Sequence, residues 1–273
     1  MAATGRLAEA GVPSPRHDAE VLAAHVLGVD RTQLARHDAI DGSVYDALIQ
    51  RRATREPLQH LTSRAPFRHI ELAVGPGVFL PRPETEVTAG AAIAYARALD
   101  RPVVVDLYAG SGAIALAVVD EVPNALVHAV EADDTAIGWL RRNAESSTVA
   151  VHHCDVDGCL PHLSGTVDVV VANPPYIPED AQIRDPEVAV HDPARALWSG
   201  PDGLDAMRIL EVNAARLLRP GGLVVAEHAD MQAVAAPAVF ATAGRWLDVS
   251  DHTDLAGRPR FVTARRLRGA PGG

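Results

Sequence analysis

Val167-Asp168-Val169-Val170-Val171-Ala172 limits the fold more than any other stretch of this chain. A short β-branched run this apolar reads as a strand buried on both faces, and such strands belong to parallel sheets covered by helices on each side. Similar runs lie before and after it. Val103–Leu107, Ala125–Val130 and Val149–His153 come first; Leu223–Glu227, Trp246–Val249 and Arg260–Arg265 follow. Helical stretches fall between them at Glu84–Leu99, Ala113–Val119 and Asp202–Leu218, the last closed by Arg219-Pro220-Gly221-Gly222. The pattern predicts an α/β fold with a seven-stranded, doubly wound sheet.

Open sheets of this kind bind ligands beyond the carboxyl ends of their strands. The first run, ending Asp106-Leu107, opens into Tyr108-Ala109-Gly110-Ser111-Gly112 and then a helix, which is the strand, glycine turn and helix of a nucleotide site. Its glycines let a ligand approach the backbone closely. The second run ends at Glu131, where an acid can accept from two ribose hydroxyls. The third ends at Cys154-Asp155-Val156, where a carboxylate can meet an adenine amino group. The fourth ends at Asn173-Pro174-Pro175-Tyr176. Taken singly, Glu131 or Asp155 reads as a helix cap or a solvated acid, and Asn173 as the cap of a proline turn. Four such features at four successive strand ends favour a ligand site.

The Asn-Pro-Pro-Tyr loop suits methyl transfer to a planar nitrogen. The lone pair of an amide or aromatic amino nitrogen is delocalised, so the nitrogen is a poor nucleophile. The Asn173 side-chain oxygen and the Pro174 carbonyl can accept its two N–H bonds, and proline leaves the loop few backbone donors to compete. Two fixed acceptors orient the nitrogen and stabilise the positive charge that grows on it during attack. Tyr176 offers a flat face for stacking on the substrate group.

Residues upstream of the sheet read differently. Arg16–Gly28 and Val44–Arg55 carry apolar positions at helical spacing, without strand alternation. We expect a small helical domain over residues 1–65, a β-hairpin linker over 66–81 and the catalytic domain over 82–273. The hairpin is expected to pair Ile70–Val74 with Val78–Leu80 around Gly75-Pro76-Gly77. The tail, Arg268–Gly273, is expected to be disordered.

Composition narrows the partners. The formal net charge is −10 over 273 residues and every basic residue is arginine. That charge argues against direct, nonspecific nucleic-acid binding, which rests on phosphate neutralisation. Arg51, Arg52, Arg55 and Arg64 cluster in sequence and read as a solvated helix face. No run is long and apolar enough to span a membrane, and the N-terminus lacks a signal-peptide pattern, so a cytoplasmic protein with no membrane partner is expected. Cys154 and Cys159 have no second pair, and His152 and His153 point to opposite faces of a strand, so no metal site is expected.

The segments Asp18–Leu22, Glu56–Thr62, Gly77–Glu86 with its Pro-Arg-Pro-Glu-Thr-Glu, Asp192–Leu197, Gly203-Leu204-Asp205 and Gly257–Arg260 complete the pattern around Asn-Pro-Pro-Tyr. Over nearly its whole length the chain resembles the peptide-chain release factor glutamine N5-methyltransferases. The resemblance implies a Rossmann-like methyltransferase sheet and S-adenosylmethionine held by Asp106, Tyr108, Ala109, Gly110, Ser111, Gly112, Glu131, Asp155, Val156 and Asn173. It implies Asn173, Pro174 and Tyr176 as the catalytic set. Phe79, Arg82, Glu84 and Pro175 would join them around the substrate, the glutamine of the Gly-Gly-Gln motif of a class I release factor. Core packing is the alternative for Phe79, and a linker-ordering ion pair for Arg82 and Glu84. A monomer is expected.

Two departures stand out. The family has Gly and Thr or Cys where this chain has Tyr108 and Ala109, and Glu-Ile-Gly where it has Glu227-His228-Ala229. They suggest a divergent paralogue. Tyr108 should either keep ordinary β backbone with its ring aside or alter the cofactor site. The alternatives to glutamine methylation are another planar nitrogen, as in a ribosomal protein or adenine N6, and a binding module with a disabled cofactor site.

Overall fold

The computed structural model describes residues 2–37 and 39–267, so the expectation for the 268–273 tail lies outside the described residues. The helices α1 (Ala2–Glu9), α2 (Pro15–Leu27), α3 (Gly42–Ala53) and α4 (Leu58–Thr62) come first, then the hairpin strands β1 (Arg64–Phe67) and β2 (Ile70–Ala73). Next are α5 (Pro83–Ala96), β3 (Val103–Leu107), α6 (Ala113–Glu121), β4 (Leu126–Glu131), α7 (Ala136–Ala144), β5 (Ala150–His153) and β6 (Val167–Ala172). The chain ends with α8 (Pro186–His191), α9 (Asp205–Leu217), β7 (Leu218–Glu227), α10 (Ala235–Ala241), β8 (Trp246–Thr253) and β9 (Pro259–Arg266). The chain forms two compact units. One comprises Met1–Arg64, Val74–Pro76 and Ile183–Asp192; the other comprises Ala65–Ala73, Gly77–Gln182 and Pro193–Gly273.

The first unit is helical. Leu7, Val12, Ala19, Leu22, Leu48, Ile49 and Leu61 form its core. α2 stops at Gly28, whose φ of 66° suits the left-handed cap, and Asp41 caps α3 by accepting from the Ser43 and Val44 amides. Only part of the arginine cluster is the solvated face expected from sequence: Arg51 and Arg64 are exposed, whereas Arg52 and Arg55 are drawn inward. Arg52 is 4% exposed and its guanidinium donates to Asp18 at 2.7 Å and to Glu187 at 2.8 Å. Arg55 Nε also donates to Glu187, at 2.8 Å. Two carboxylates brought from distant parts of the chain compensate the buried charge, which spacing along α3 alone cannot reveal.

The second unit holds the sheet, in the order β5-β4-β3-β6-β7-β9-β8, seven strands as expected. Its first five strands are parallel; β9 runs antiparallel to β7 and β8. Val104, Val105, Val169, Val170 and Val171 have no exposed surface, as a strand covered on both faces requires. The order reverses between β3 and β6, where Leu107 lies beside Ala172 and Ala172 beside Ala226. The residues next after these three, Tyr108, Asn173 and the last residue of β7, Glu227, therefore lie side by side at the switch point where doubly wound sheets bind ligands.

The hairpin falls one strand earlier than expected. β1 pairs with β2 around Arg68-His69, and Val78–Leu80 is not a strand. Gly75-Pro76-Gly77 looked like the turn, but Arg68 takes a φ of 52° and makes the turn itself. Its guanidinium donates to Glu121 and to the Glu86 carbonyl, which offsets the left-handed backbone. Asn143 then ties the hairpin to the glycine turn. It exchanges two bonds with Ala73, at 2.8 and 2.9 Å, and donates to the Ser111 carbonyl at 2.9 Å.

Two outcomes follow from these packings. Replacing Arg52 with Ala leaves Asp18 buried without its cation, so urea unfolding should show a loss of about 3–5 kcal/mol. His128 and His152 stack with their rings 5.2 Å apart on neighbouring strands. Burial, and then the neighbouring His152 and His162 charges, hold His128 below the usual histidine range; burial and His162 do the same to His152. Both are therefore neutral in the fold while the unfolded chain gains protons below about pH 6.5, so stability falls as pH drops through that value. Thermal melts from pH 7.5 to 5 should show the slope, and His128→Phe should reduce it.

Candidate active site

The glycine turn after β3 is built for close approach. Gly110 takes a φ of 56° and, its chain neighbours aside, no atom of the described residues lies within 4 Å of where a Cβ would stand. Gly112 takes a φ of 87° and a Cβ there would meet Leu140 at 2.6 Å, so packing against α7 requires glycine. The Ala109 amide donates to the Val130 carbonyl at 2.9 Å, and the Gly112 amide to Ala109 at 2.8 Å. Glu131 accepts from the Gly110 amide at 2.8 Å and from the Ala132 and Asp133 amides at 2.8 and 2.7 Å. Those three bonds fix its carboxylate at the end of β4 and leave Oε2 room for one more donor. Asp155 is exposed and Val156 beside it is buried; burial raises the Tyr108 phenol, and the Asp155 charge adds to that.

Asp106 differs from these acids. It is 1% exposed; Oδ2 accepts from the Ala115 amide at 3.0 Å, while Oδ1 is buried with no partner among the described residues. Burial pushes its carboxyl up to about 8, against the Ala115 bond and with the Glu131 charge. A buried carboxylate oxygen without a donor suits a cationic ligand group.

Tyr108 does not keep the ordinary β backbone expected from sequence, although its ring does turn aside. Its φ is 66°, left-handed backbone that costs a non-glycine residue about 1–2 kcal/mol. The half-buried ring packs against the main core and its hydroxyl donates to the Ala206 carbonyl at 3.3 Å. Side-chain packing and that bond offset the strain a tyrosine brings to the position.

The loop after β6 is held from several sides. Pro174 is buried, and Asn173, Pro175 and Tyr176 are half-buried. The Ile177 amide donates to Leu197 at 2.8 Å, the Ser199 amide to Ile177 at 2.9 Å and the Glu179 amide to Gly200 at 3.0 Å. Gln232 Nε2 donates to the Tyr176 carbonyl at 3.1 Å and to Gly203 at 3.3 Å. Gly203 has a φ of 74° and a Cβ there would stand 2.3 Å from the Tyr176 carbonyl oxygen. The Gly203-Leu204-Asp205 segment is thus a backbone seat for the loop. Burial and the Glu227 charge push the Tyr176 phenol up, against the pull of Arg260 and Arg82. Arg260 arrives through the Gly257–Arg260 turn, where Asp254 accepts from the Ala256 and Arg258 amides at 2.9 and 3.0 Å. Arg82 lies over the Phe79 ring, 5.2 Å from its centroid.

Three residues of a hydrogen-bond chain that begins at Asn173 are not among the site residues expected from sequence. Asn173 Nδ2 donates to Thr85 Oγ1 at 3.2 Å, and Thr85 and Thr88 donate to the two Glu227 oxygens at 3.3 and 3.1 Å. Glu227 is 1% exposed, and burial pushes its carboxyl up to about 7, with the two threonine bonds and Arg260 opposing. A signal existed: Glu227 ends an apolar run as Glu131 does, and Thr85 sits within Pro-Arg-Pro-Glu-Thr-Glu. The next residue, His228, is fully buried, with Nδ1 at 2.8 Å from the Ala229 carbonyl and Nε2 at 2.9 Å from Asp251.

Comparison with known proteins places this geometry. Residues 1–62 match the PrmC N-terminal domain family and residues 70–192 the Methyltransferase small domain family. The chain is 54% identical over 268 residues to the release factor glutamine methyltransferase of Streptomyces coelicolor, covering 97% of this chain and 95% of that protein. It is 49% identical over 271 residues to the release factor glutamine methyltransferase of Mycolicibacterium smegmatis, covering 97% and 96%. It is also 41% identical over 258 residues to the 4-amino-L-phenylalanine/4-methylamino-L-phenylalanine methyltransferase of Streptomyces pristinaespiralis, covering 91% and 88%.

The seat under the loop is open to test. Gly203→Ala puts a methyl group against the Tyr176 carbonyl, so calorimetric melting should report a loss of about 1–3 kcal/mol. Methyl transfer should fall by more than the unfolded fraction explains.

Proposed function

The chain belongs to the release factor glutamine methyltransferases, and from that membership we propose that it methylates the side-chain amide nitrogen (N5) of glutamine in the Gly-Gly-Gln motif of a class I peptide-chain release factor. The observation that carries the reading is Asn173, whose Nδ2 is engaged by Thr85 while, among the described residues, nothing donates to its Oδ1. That oxygen is a fixed acceptor awaiting an N–H.

S-adenosylmethionine supplies, when bound, an electrophilic methyl carbon whose bond to sulfur breaks with its electron pair left on the sulfur. The residues present fit it. The unpartnered Asp106 Oδ1 suits its ammonium group, Oε2 of Glu131 a ribose hydroxyl, Asp155 the adenine amino group, and the open Gly110 backbone a close approach. Tyr108 to Gly112 and Val156 complete that wall.

On the substrate side, Asn173 Oδ1 and the Pro174 carbonyl accept the two amide hydrogens. They hold the nitrogen with its lone pair toward the methyl carbon and stabilise the charge that builds as the N–C bond forms. The nitrogen becomes acidic once methylated and releases its proton to water, so no strong base is required beforehand. Tyr176, with its phenol held neutral by burial, stacks on the amide. Phe79, Arg82, Glu84 and Pro175 flank the entrance. The helical unit serves as the substrate-recognition domain, and the enzyme acts as a cytoplasmic monomer on a protein, without direct nucleic-acid contact.

The reading is tested by incubating the protein with S-adenosylmethionine and a class I release factor and examining the Gly-Gly-Gln peptide by mass spectrometry. One added methyl on the glutamine is expected. Asn173→Ala should lower kcat by about 10²–10³-fold, as loss of a preorganised transition-state contact does, with cofactor affinity little changed by calorimetry. Methylation of 4-amino-L-phenylalanine or of adenine in DNA, with none on the peptide, would reassign the substrate.

A further inference from the structure

We infer that Glu227 is a positioning residue: acting through Thr85, it fixes the Asn173 side-chain amide with Nδ2 turned inward and Oδ1 presented to the substrate nitrogen. The inference rests on the function proposed above and extends it to residues that touch neither substrate nor cofactor.

The direction of the hydrogen bonds carries it. An ionised carboxylate only accepts, so Thr85 and Thr88 must both point their hydroxyl protons at Glu227, over 3.3 and 3.1 Å. Thr85 Oγ1 is then left as an acceptor, and the Asn173 atom beside it, at 3.2 Å, must be the amide nitrogen. Turning Asn173 over would require Thr85 to donate to Oδ1. A Glu227 oxygen would then lose its donor in a place with no water access, which is costly. The carboxylate thus selects one of two amide orientations that differ little in shape and are opposite in polarity. Only the selected one offers an acceptor to an N–H.

The strand register places the parts. Asn173 and Glu227 follow Ala172 and Ala226, which are partners in the parallel pair β6 and β7. Thr85 and Thr88 stand one turn apart at the start of α5, so both hydroxyls reach one carboxylate.

Ionisation of Glu227 should therefore appear in the rate. The charged groups acting on it are Arg260 on β9 and Glu84 on α5; the Tyr176 hydroxyl is nearby, and His228, paired with Asp251 on β8, is next in the chain. With burial foremost among the causes, the carboxyl titrates at about 7. When protonated it can donate to Thr85, whose proton then turns toward Asn173 and favours the wrong orientation. The active fraction accordingly rises with pH.

The experiment compares wild type, Thr85→Val, Thr85→Ser and Glu227→Gln. Thr85→Val keeps the shape and removes the hydroxyl; kcat should fall about 10²-fold, as a misplaced reacting group costs, with cofactor affinity nearly unchanged and the melting temperature lowered by the donor that Glu227 loses. Thr85→Ser should recover most of that loss. Wild-type kcat should rise through a pH near 7, and the rise should be absent in Thr85→Val. A folded Thr85→Val with wild-type kcat, or equal losses in the Val and Ser variants, overturns the inference while leaving methyl transfer intact. If wild type methylates no release factor, the functional reading fails instead, and NMR of the Asn173 side-chain amide decides the inference. Its signals should move with pH in wild type and stay fixed in Glu227→Gln; signals indifferent to pH in wild type overturn it.

Discussion

The parallel register of β3, β6 and β7 is the constraint on which everything else depends. Leu107, Ala172 and Ala226 stand abreast, so the three residues after them emerge at one edge of the sheet. One strand end carries the glycine turn, the next the Asn-Pro-Pro-Tyr loop, and the third the buried carboxylate. A shift by one residue in either pair would move every side chain to the opposite face and separate these groups. The continuous burial of the valines in β3 and β6 is what makes such a shift costly.

Around that edge the protein maintains several groups in states they would not adopt in water. Asp106 has an oxygen with no partner, Glu227 titrates near neutrality, and Tyr108 holds left-handed backbone without being glycine. Each carries a cost that the surrounding packing sustains. These three lie beside the switch point. The loops are fixed in the same spirit: Gln232 and the absent Cβ of Gly203 hold the Tyr176 carbonyl, and Asn143 holds the hairpin to the Ser111 carbonyl. A site whose task is to orient a weak nucleophile needs this rigidity, because its contribution is geometry and not proton transfer.

Much of this was legible in the chain itself. The apolar runs marked the seven strands, and polar residues ended four of them at the carboxyl edge of the sheet. The family resemblance and the relatives then agreed. What the sequence concealed has identifiable causes. The hairpin turn was assigned to Gly75-Pro76-Gly77 because Arg68 gives no sign of adopting positive φ; only its bonds to Glu121 and Glu86 make that conformation acceptable. Arg52 resembled a surface residue because Asp18 and Glu187 approach it from elsewhere in the chain. Thr85 and Glu227 lie 142 positions apart, and a hydrogen bond over that separation leaves no local pattern.

The central claim is that Asn173 Oδ1 is the fixed acceptor for the substrate nitrogen. A crystal structure of the protein with S-adenosylhomocysteine and a Gly-Gly-Gln peptide tests it most directly. The expected result is the glutamine nitrogen at about 2.9 Å from both Asn173 Oδ1 and the Pro174 carbonyl, with Asn173 Nδ2 still on Thr85. A glutamine side chain bound away from the Asn-Pro-Pro-Tyr loop, or one that meets Asn173 through its carbonyl oxygen, would contradict the account.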